Sequence, residues 1–333
     1  MATGRSAASR ASAPAPAAAR DSILARDRTE GVETLARVLS RDGYQGCFIY
    51  GGHGTFDHLC GYAEPNGWAR FIDQDDFENP VHTTAWGHCD EDVLHRAIEE
   101  MRSMHAAYQP FFLTCMTVSN HLTVHILTGR IQEDPEAKSR KHAVKYSDWA
   151  LGDFFRRAKA EPFWRDTIFA VVADHGARVY GSEEIPIKSY QIPLVIAGPA
   201  AAPQPRRIDT LGCQLDVAPT LLGLIGRPYR TLFFGRDLLR AGDPSLCLMH
   251  HNRSIAAYGS GRMAVFGLNK TITYYRGDPK RGDLVPMAEP DAAARELAAD
   301  GEALFRVADE LYMGRQYLLP EPTDNQSLAA HSR

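Results

Sequence analysis

The chain has 333 residues, 44% hydrophobic and 23% charged, enough to bury a sizeable core as one large domain or two small ones. A net charge of -4 argues against the basic footprint of a nucleic-acid binder. The six cysteines, at 47, 60, 89, 115, 213 and 247, include no CxxC pair, which argues against a zinc ribbon or a thioredoxin-type motif.

Residues 1–20 are almost all Ala, Ser, Pro and Arg, a composition that builds no core. A transit peptide and a mis-started reading frame both account for it, and the second is preferred. Arg5, Arg10 and Arg20 interrupt any apolar signal-peptide region. The longest apolar stretches, Thr167–Ala173 and Val217–Gly226, fall short of the roughly 18 residues needed to span a bilayer.

Ordered structure is expected from about Thr29. Val32, Leu35, Val38 and Leu39 trace one face of a short helix that stops near Gly43. Cys47–Tyr50 reads as a strand, followed by Gly51-Gly52-His53-Gly54. A glycine-rich turn at this place can bring backbone close to a ligand, although it is neither GxGxxG nor a Walker loop. Residues 57–90 read as irregular. Asp90 resembles an N-cap, with Glu91 and Asp92 in the favourable first turn and Leu94, Ile98 and Met101 facing inward. The plain reading of these three acids is structural.

Pro110–Val118 reads as the next strand, ending in Ser119-Asn120-His121. Val144, Leu151, Phe154, Phe155 and Ala158 mark an amphipathic helix. It leads into the β-branched run from Thr167, which ends in Asp174-His175-Gly176. In open α/β sheets the chemistry sits beyond the carboxyl ends of the strands, and a carboxylate with an imidazole suits Zn or Mn. Asp174 and His175 are therefore candidate metal ligands, with a turn and a surface histidine as the bland alternative. Gly176 is expected to let the chain leave sharply. Ile192–Ala197 follows as a strand. Asp216 then caps a helix over Val217–Ile225. Residues 246–276 contain β-type pieces, and a helix begins at Asp291. Cys47 and Cys115 lie in apolar runs and are expected to be buried thiols. One or two disulfide bridges remain open. The alternation of strands and helices predicts an α/β fold with a largely parallel sheet.

Eight blocks in this order resemble the extracytoplasmic catalytic domain of the lipoteichoic acid synthase family. These are phosphoglycerol transferases of the sulfatase and alkaline phosphatase superfamily. The blocks are Phe48-Ile-Tyr-Gly-Gly52 with Phe56-Asp57, Trp86-Gly87 with Asp90-Glu-Asp92, and Pro110-Phe-Phe112 with Thr117-Val-Ser-Asn-His121. They continue with Val144-Lys-Tyr-Ser-Asp148 and Leu151-Gly152, Val172-Ala-Asp-His-Gly176, Ile192-Pro-Leu194, Gln214-Leu-Asp-Val-Ala-Pro-Thr-Leu-Leu222 and Phe234-Gly-Arg-Asp-Leu238. Together they cover roughly residues 28–275.

The resemblance implies an α/β/α sandwich with a mixed, mainly parallel sheet, here lacking its leading strand, plus a small C-terminal β subdomain. The implied divisions are a low-complexity 1–27, a partial sulfatase-like domain over 28–243 and a β subdomain with a helical tail over 244–333. It implies metal-dependent transfer or hydrolysis of a phosphate ester through a threonine nucleophile. The divalent metal is manganese first, with zinc or magnesium as alternatives, and Asp174 and His175 are two of its ligands. His121, in the Asn120-His121 block, is implied to bind the substrate phosphate. The family's glutamate ligand and threonine nucleophile lie upstream of the matching helix and have no counterpart in residues 1–28, so no catalytic nucleophile is assigned. The family's Trp and Arg at the substrate loop are also absent from Thr55-Phe-Asp-His-Leu59. A phospholipid or glycan-type substrate at the extracytoplasmic face of the cell membrane is implied for the full-length family. The alternative is a catalytically inactive remnant or a binding module using the old pocket.

Overall fold

The computed structural model describes residues 30–121, 126–134, 139–176, 184–202, 204–240, 246–251, 254–278 and 284–317. The Ala-rich N-terminal stretch lies outside them.

Helix α1 (Leu35–Arg41) is capped by the Thr34 side chain, which accepts from the Arg37 N–H. It buries Leu35, Ala36, Val38 and Leu39, as its periodicity predicts. Strand β1 (Gln45–Tyr50) follows. After it come a short helix α2 (Leu59–Ala63) and strand β2 (Arg70–Ile72), which pairs parallel to β1. A small hairpin joins β3 (Thr83–Thr84) to β4 (Gly87–His88) and leads into α3 (Asp90–Ala106). Residues 57–90 are therefore more ordered than expected. Their elements are too short for a periodic signal, and β2 is defined only by its partner β1.

Strand β5 (Phe111–Met116) pairs parallel to β1 on its other side, giving the order β2-β1-β5. Helix α4 (Arg140–Ala158) precedes β6 (Phe169–Val172), which pairs antiparallel to β7 (Leu194–Ala197). Helix α5 (Val217–Ile225) has the bounds that the sequence predicts.

The strand pleat sorts two apolar layers. Cys47 and Ile49 of β1 join Leu113 and Cys115 of β5 and Phe169 of β6 against Val93, Leu94, Ala97 and Ile98 of α3 and Ala150 and Phe154 of α4. Phe48 and Tyr50 point the other way, toward Val32 and Ala36. Phe112 lies on that same side, with Leu35, Ala218 and Leu222. The result is helices on both faces of a mixed sheet. The sheet is in two pieces that share one core, and no described strand pairs with the outer edge of β5 or β6. All six residues of β5 are only half-buried, in keeping with an outer edge that no described strand covers. Cys115 is accordingly half-buried, whereas Cys47 is buried. All six cysteines are free thiols. Val144 is 48% exposed, because the buried stripe of α4 runs through Ala143, Tyr146, Ala150 and Phe154.

A five-stranded antiparallel sheet follows, ordered β12-β11-β10-β9-β8. Its strands are β8 (Cys247–His251), β9 (Ser254–Gly259), β10 (Arg262–Phe266), β11 (Ile272–Arg276) and β12 (Val285–Pro286). Helix α6 (Ala292–Met313), capped by Asp291, lies on it. A Cβ on Gly301 would stand 2.6 Å from the Ala257 methyl, so only glycine allows this approach. Tyr312 and Tyr317, at the far end of α6, pack into the α/β core with Val32 and Phe48. No helix among the described residues is long and apolar enough to cross a membrane.

Candidate functional site

Three short segments meet at the carboxyl end of β5, and the N-terminus of α3 holds each of them. Asp90 is 1% exposed. Its Oδ1 accepts from the Val118 N–H at 3.0 Å and the Ser119 N–H at 2.7 Å. Its own N–H donates to Ser119 Oγ at 2.9 Å. These bonds set the strand end that carries Asn120 and His121. Glu91 takes both arms of Arg130 at 2.9 Å, a bidentate pair of high geometric specificity. It thereby fastens the segment beyond His121, and the Arg130 guanidinium also lies over the Trp149 ring at 5.0 Å. Asp92 accepts from the Val81 and His82 N–H groups and from the Cys89 thiol, which anchors the hairpin that carries Trp86. The three acids are thus structural, but as tethers between segments rather than as simple partners of the helix dipole. Cys89, not Asp90, occupies the N-cap position.

Trp86 stacks on His121 with ring centroids 4.1 Å apart and planes 8° from parallel. Phe56 meets Trp86 edge-on at 6.1 Å, and Tyr50 stacks on Phe56 at 6.4 Å. A continuous aromatic row therefore runs from the end of β1 through the substrate-loop block and the Trp86-Gly87 block to His121. Burial, with the nearby Asp57 carboxylate, pushes the Tyr50 hydroxyl up to about 12. Asp57 and His58, beside Phe56, both hold positive φ, 48° and 58°, a backbone state that costs free energy in residues other than glycine. Gly51 and Gly87 meet backbone to backbone. The His88 N–H donates to the Gly51 carbonyl at 2.8 Å, and a Cβ on Gly87 (φ +125°) would stand 2.1 Å from that oxygen. The glycine-rich turn after β1 thus packs against the hairpin, rather than leaving backbone open to a ligand as its sequence suggests.

Asp174 and His175 stand just beyond β6. Asp174 Oδ2 lies 3.4 Å from His175 Nε2, and Asp174 Oδ1 accepts from the His175 N–H at 2.8 Å. His175 Nδ1 lies 2.8 Å from the Gly176 carbonyl oxygen. A carbonyl only accepts, so Nδ1 carries a proton, and Nε2 is the nitrogen left to offer a lone pair in the neutral imidazole. Two ligand atoms each about 2.1 Å from a tetrahedral ion are about 3.4 Å apart, so the donor chemistry and the bite of the pair fit a divalent metal. Gln214 Nε2 steadies this edge by donating to the carbonyls of Ala173 at 2.9 Å and Asp174 at 2.7 Å. A Cβ on Gly176 would fall 2.1 Å from the Ser189 carbonyl oxygen. The glycine is needed there for close approach, and it shows no positive φ. No third His, Cys, Asp or Glu among the described residues joins Asp174 and His175 at ligating distance.

Sequence reasoning did not single out His53, Asp73 and Asp75. Their ligand atoms lie within 4.8 Å of one another at the ends of β1 and β2. Asp73 is occupied there with the Gly54 and Asp75 N–H groups. Only the pairing of β2 with β1 brings these residues together, so spacing gave no signal.

A sulfatase family model matches residues 1–227. The lipoteichoic acid synthase-like protein YvgJ of Bacillus subtilis is 28% identical over 233 residues, 63% of this chain and 37% of that protein. A phosphoglycerol transferase I of Xanthomonas euvesicatoria is 29% identical over 220 residues, 63% of this chain and 31% of that protein. The chain thus spans about a third of the length of these two curated relatives. A crystal structure of a Vibrio parahaemolyticus protein in the alkaline phosphatase superfamily superposes with a TM-score of 0.86 at 32% identity. It covers 95% of this chain and 76% of that one. The lipoteichoic acid synthase LtaP from Listeria monocytogenes superposes with a TM-score of 0.74 at 16% identity, over 94% of this chain and 81% of that one, and so shares the fold. With the family model matching well over half of its residues, the chain belongs to the sulfatase family within the alkaline phosphatase superfamily, as a homologue of lipoteichoic acid synthase-like proteins and phosphoglycerol transferases.

Proposed function

We propose that this chain carries the metal- and phosphate-binding part of a phosphoglycerol transferase-type site, acting on a phosphate ester by transfer or hydrolysis. The observation that carries this reading is the Asp174–His175 pair, with Oδ2 and Nε2 3.4 Å apart and Nδ1 committed to the Gly176 carbonyl. Asp174 and His175 would hold a divalent cation, manganese by resemblance to the family, with zinc or magnesium as alternatives. When bound, such an ion serves as a Lewis acid toward a phosphoryl oxygen and activates a hydroxyl nucleophile. Gln214 keeps the two ligands in place through the backbone carbonyls of Ala173 and Asp174. His121 donates to the phosphate, with Asn120 beside it, and the Trp86 ring sets the plane of the imidazole. Asp90 and Glu91 hold the strand end and the following segment, so that His121 meets the ester without reorganisation. The nucleophile and a further acidic ligand are assigned to no residue of this chain. By resemblance to the family the substrate is of phospholipid or glycan type at the extracytoplasmic face of the cell membrane, and the relatives' names support the phosphoglycerol chemistry alone.

The test is titration of the full chain with Mn²⁺, followed by electron paramagnetic resonance. Addition of glycerol phosphate and turnover of a chromogenic phosphodiester complete it. Saturable binding that Asp174→Ala and His175→Ala each abolish, and that glycerol phosphate perturbs, is expected. Binding unchanged in both variants would refute the metal assignment. Binding of metal and ester without turnover favours the second reading, an inactive module that keeps the old pocket.

A further inference from the structure

We propose that Tyr190 is a positioning residue for the Asp174–His175 edge, and that through it the C-terminal sheet sets where the two ligand atoms stand. The proposal rests on the metal-binding reading of that edge. The Tyr190 hydroxyl donates to the His250 carbonyl of β8 at 2.5 Å. Its ring packs on the apolar layer in which Ile185 and Ile187 meet Met249, Ala256 and Val265 of the C-terminal sheet. At the other end of the segment, Glu184 Oε1 accepts from the Ser254 hydroxyl of β9 at 2.6 Å. Residues 184–190 are thus bolted to the C-terminal sheet at both ends, with two buried isoleucines between the bolts.

The same segment meets the metal edge. Ile187–Tyr190 form one turn of 3-10 helix, in which the Ser189 N–H donates to the Pro186 carbonyl at 2.8 Å. The Ser189 carbonyl faces Gly176. The three heavy atoms nearest to where a Gly176 Cβ would stand all belong to Ser189 and Gln191. Gly176 in turn supplies the carbonyl that accepts from His175 Nδ1 at 2.8 Å. The β6–β7 ladder ends at the Val172–Leu194 pair, and Gln214 holds the carbonyls of Ala173 and Asp174. Both act upstream of Gly176, whose place is set by the turn that Tyr190 closes. With the Tyr190 hydroxyl bound to a strand, that turn is held against Gly176. Without it the turn is free to retreat, and the carbonyl that orients the His175 ring moves with it. The partner of a ligating histidine's second nitrogen fixes the ring and so tunes the affinity for the ion.

The test is Mn²⁺ titration of the full chain, read by electron paramagnetic resonance, in the parent and in Tyr190→Phe, Tyr258→Phe and Asp174→Ala. Tyr190→Phe keeps the ring and removes only the hydroxyl. Its Mn²⁺ affinity should fall roughly 2- to 10-fold, the range of one hydrogen bond. Tyr258→Phe removes a bond of the same kind in the same sheet, from its hydroxyl to the Gly277 carbonyl at 3.3 Å, and should keep the parent's affinity. In the metal-free chain the His175 N–H, which donates to Asp174 Oδ1, should exchange faster in Tyr190→Phe than in the parent or Tyr258→Phe. Unchanged affinity in Tyr190→Phe, where Asp174→Ala abolishes binding, would overturn the positioning role and leave the metal reading standing. Equal losses in the two tyrosine variants would also overturn it, as a general loosening of the sheet. Binding that Asp174→Ala leaves unchanged would refute the metal reading instead. The metal-free exchange then decides the placement of the edge, and equal His175 rates in parent and Tyr190→Phe would overturn it.

Discussion

Asp90→Ala removes one carboxylate on which the approach to His121 depends. Both the Val118 and Ser119 N–H groups donate to the same Oδ1, at 3.0 and 2.7 Å, in surroundings that leave Asp90 1% exposed. Hydrogen bonds to a charged group contribute about 1.5–3 kcal/mol each, and a buried donor left without a partner costs about as much. The alanine variant should therefore lose about 3–5 kcal/mol. Asp90→Asn keeps a neutral oxygen at the Oδ1 position and loses only the charge assistance, so its loss should be about 1–2 kcal/mol. Urea denaturation of both variants at neutral pH measures these differences, provided that the slope stays constant. Amide exchange at Val118 and Ser119 locates the effect. A loss below about 1 kcal/mol for Asp90→Ala, or equal losses in the two variants, would refute the view that this oxygen is a tether.

Trp86→Ala should weaken binding of inorganic phosphate roughly 2- to 10-fold, since an aromatic pair contributes about 0.5–1.5 kcal/mol. Trp86→Phe should recover most of it, and calorimetric affinities equal to the parent's would show that the stack does not set His121. The Arg262 hydrogen bonds and the Ala294 N–H hold the Asp291 carboxyl down at about 2. A depressed carboxyl contributes stability that is full above its ordinary 3.8 and is lost as the pH falls toward about 2. Asp291→Asn should flatten that part of the acid limb in pH-dependent denaturation, and an unchanged limb would contradict the pairing. Burial pushes the Cys47 and Cys89 thiols up to about 12. Below 9.0 they are protonated in both states. Above it the unfolded chain releases its protons first, so stability should fall as the pH rises from 9.0 toward about 12. At pH 8 iodoacetamide should spare both in the folded chain, and rapid native alkylation of either would contradict their burial.

Much of the α/β frame is legible in the chain, because each element bears a local period. The stripe Leu35, Val38, Leu39, the apolar runs of β1, β5 and β6, and the bounds of α5 need no knowledge of the rest of the chain. The place of Asp174 and His175 at a strand end is legible for the same reason. Val144 misled because it lies within the helix but off the stripe that other segments cover.

The amino-acid sequence by itself determined the periodic elements, the two candidate metal ligands and the ordered blocks of the family, since these depend on neighbours along the chain. Only tertiary structure decided which groups each of them meets. Asp90, Glu91 and Asp92 read alike at a helix start, yet they hold three different segments around Trp86 and His121. Gln214 reads in the sequence only as the first residue of a family block, and it acquires its role where the turn before α5 meets the end of β6. A hydrogen bond or a ring stack needs two partners within a few ångströms, and the fold, not the spacing along the chain, sets that distance.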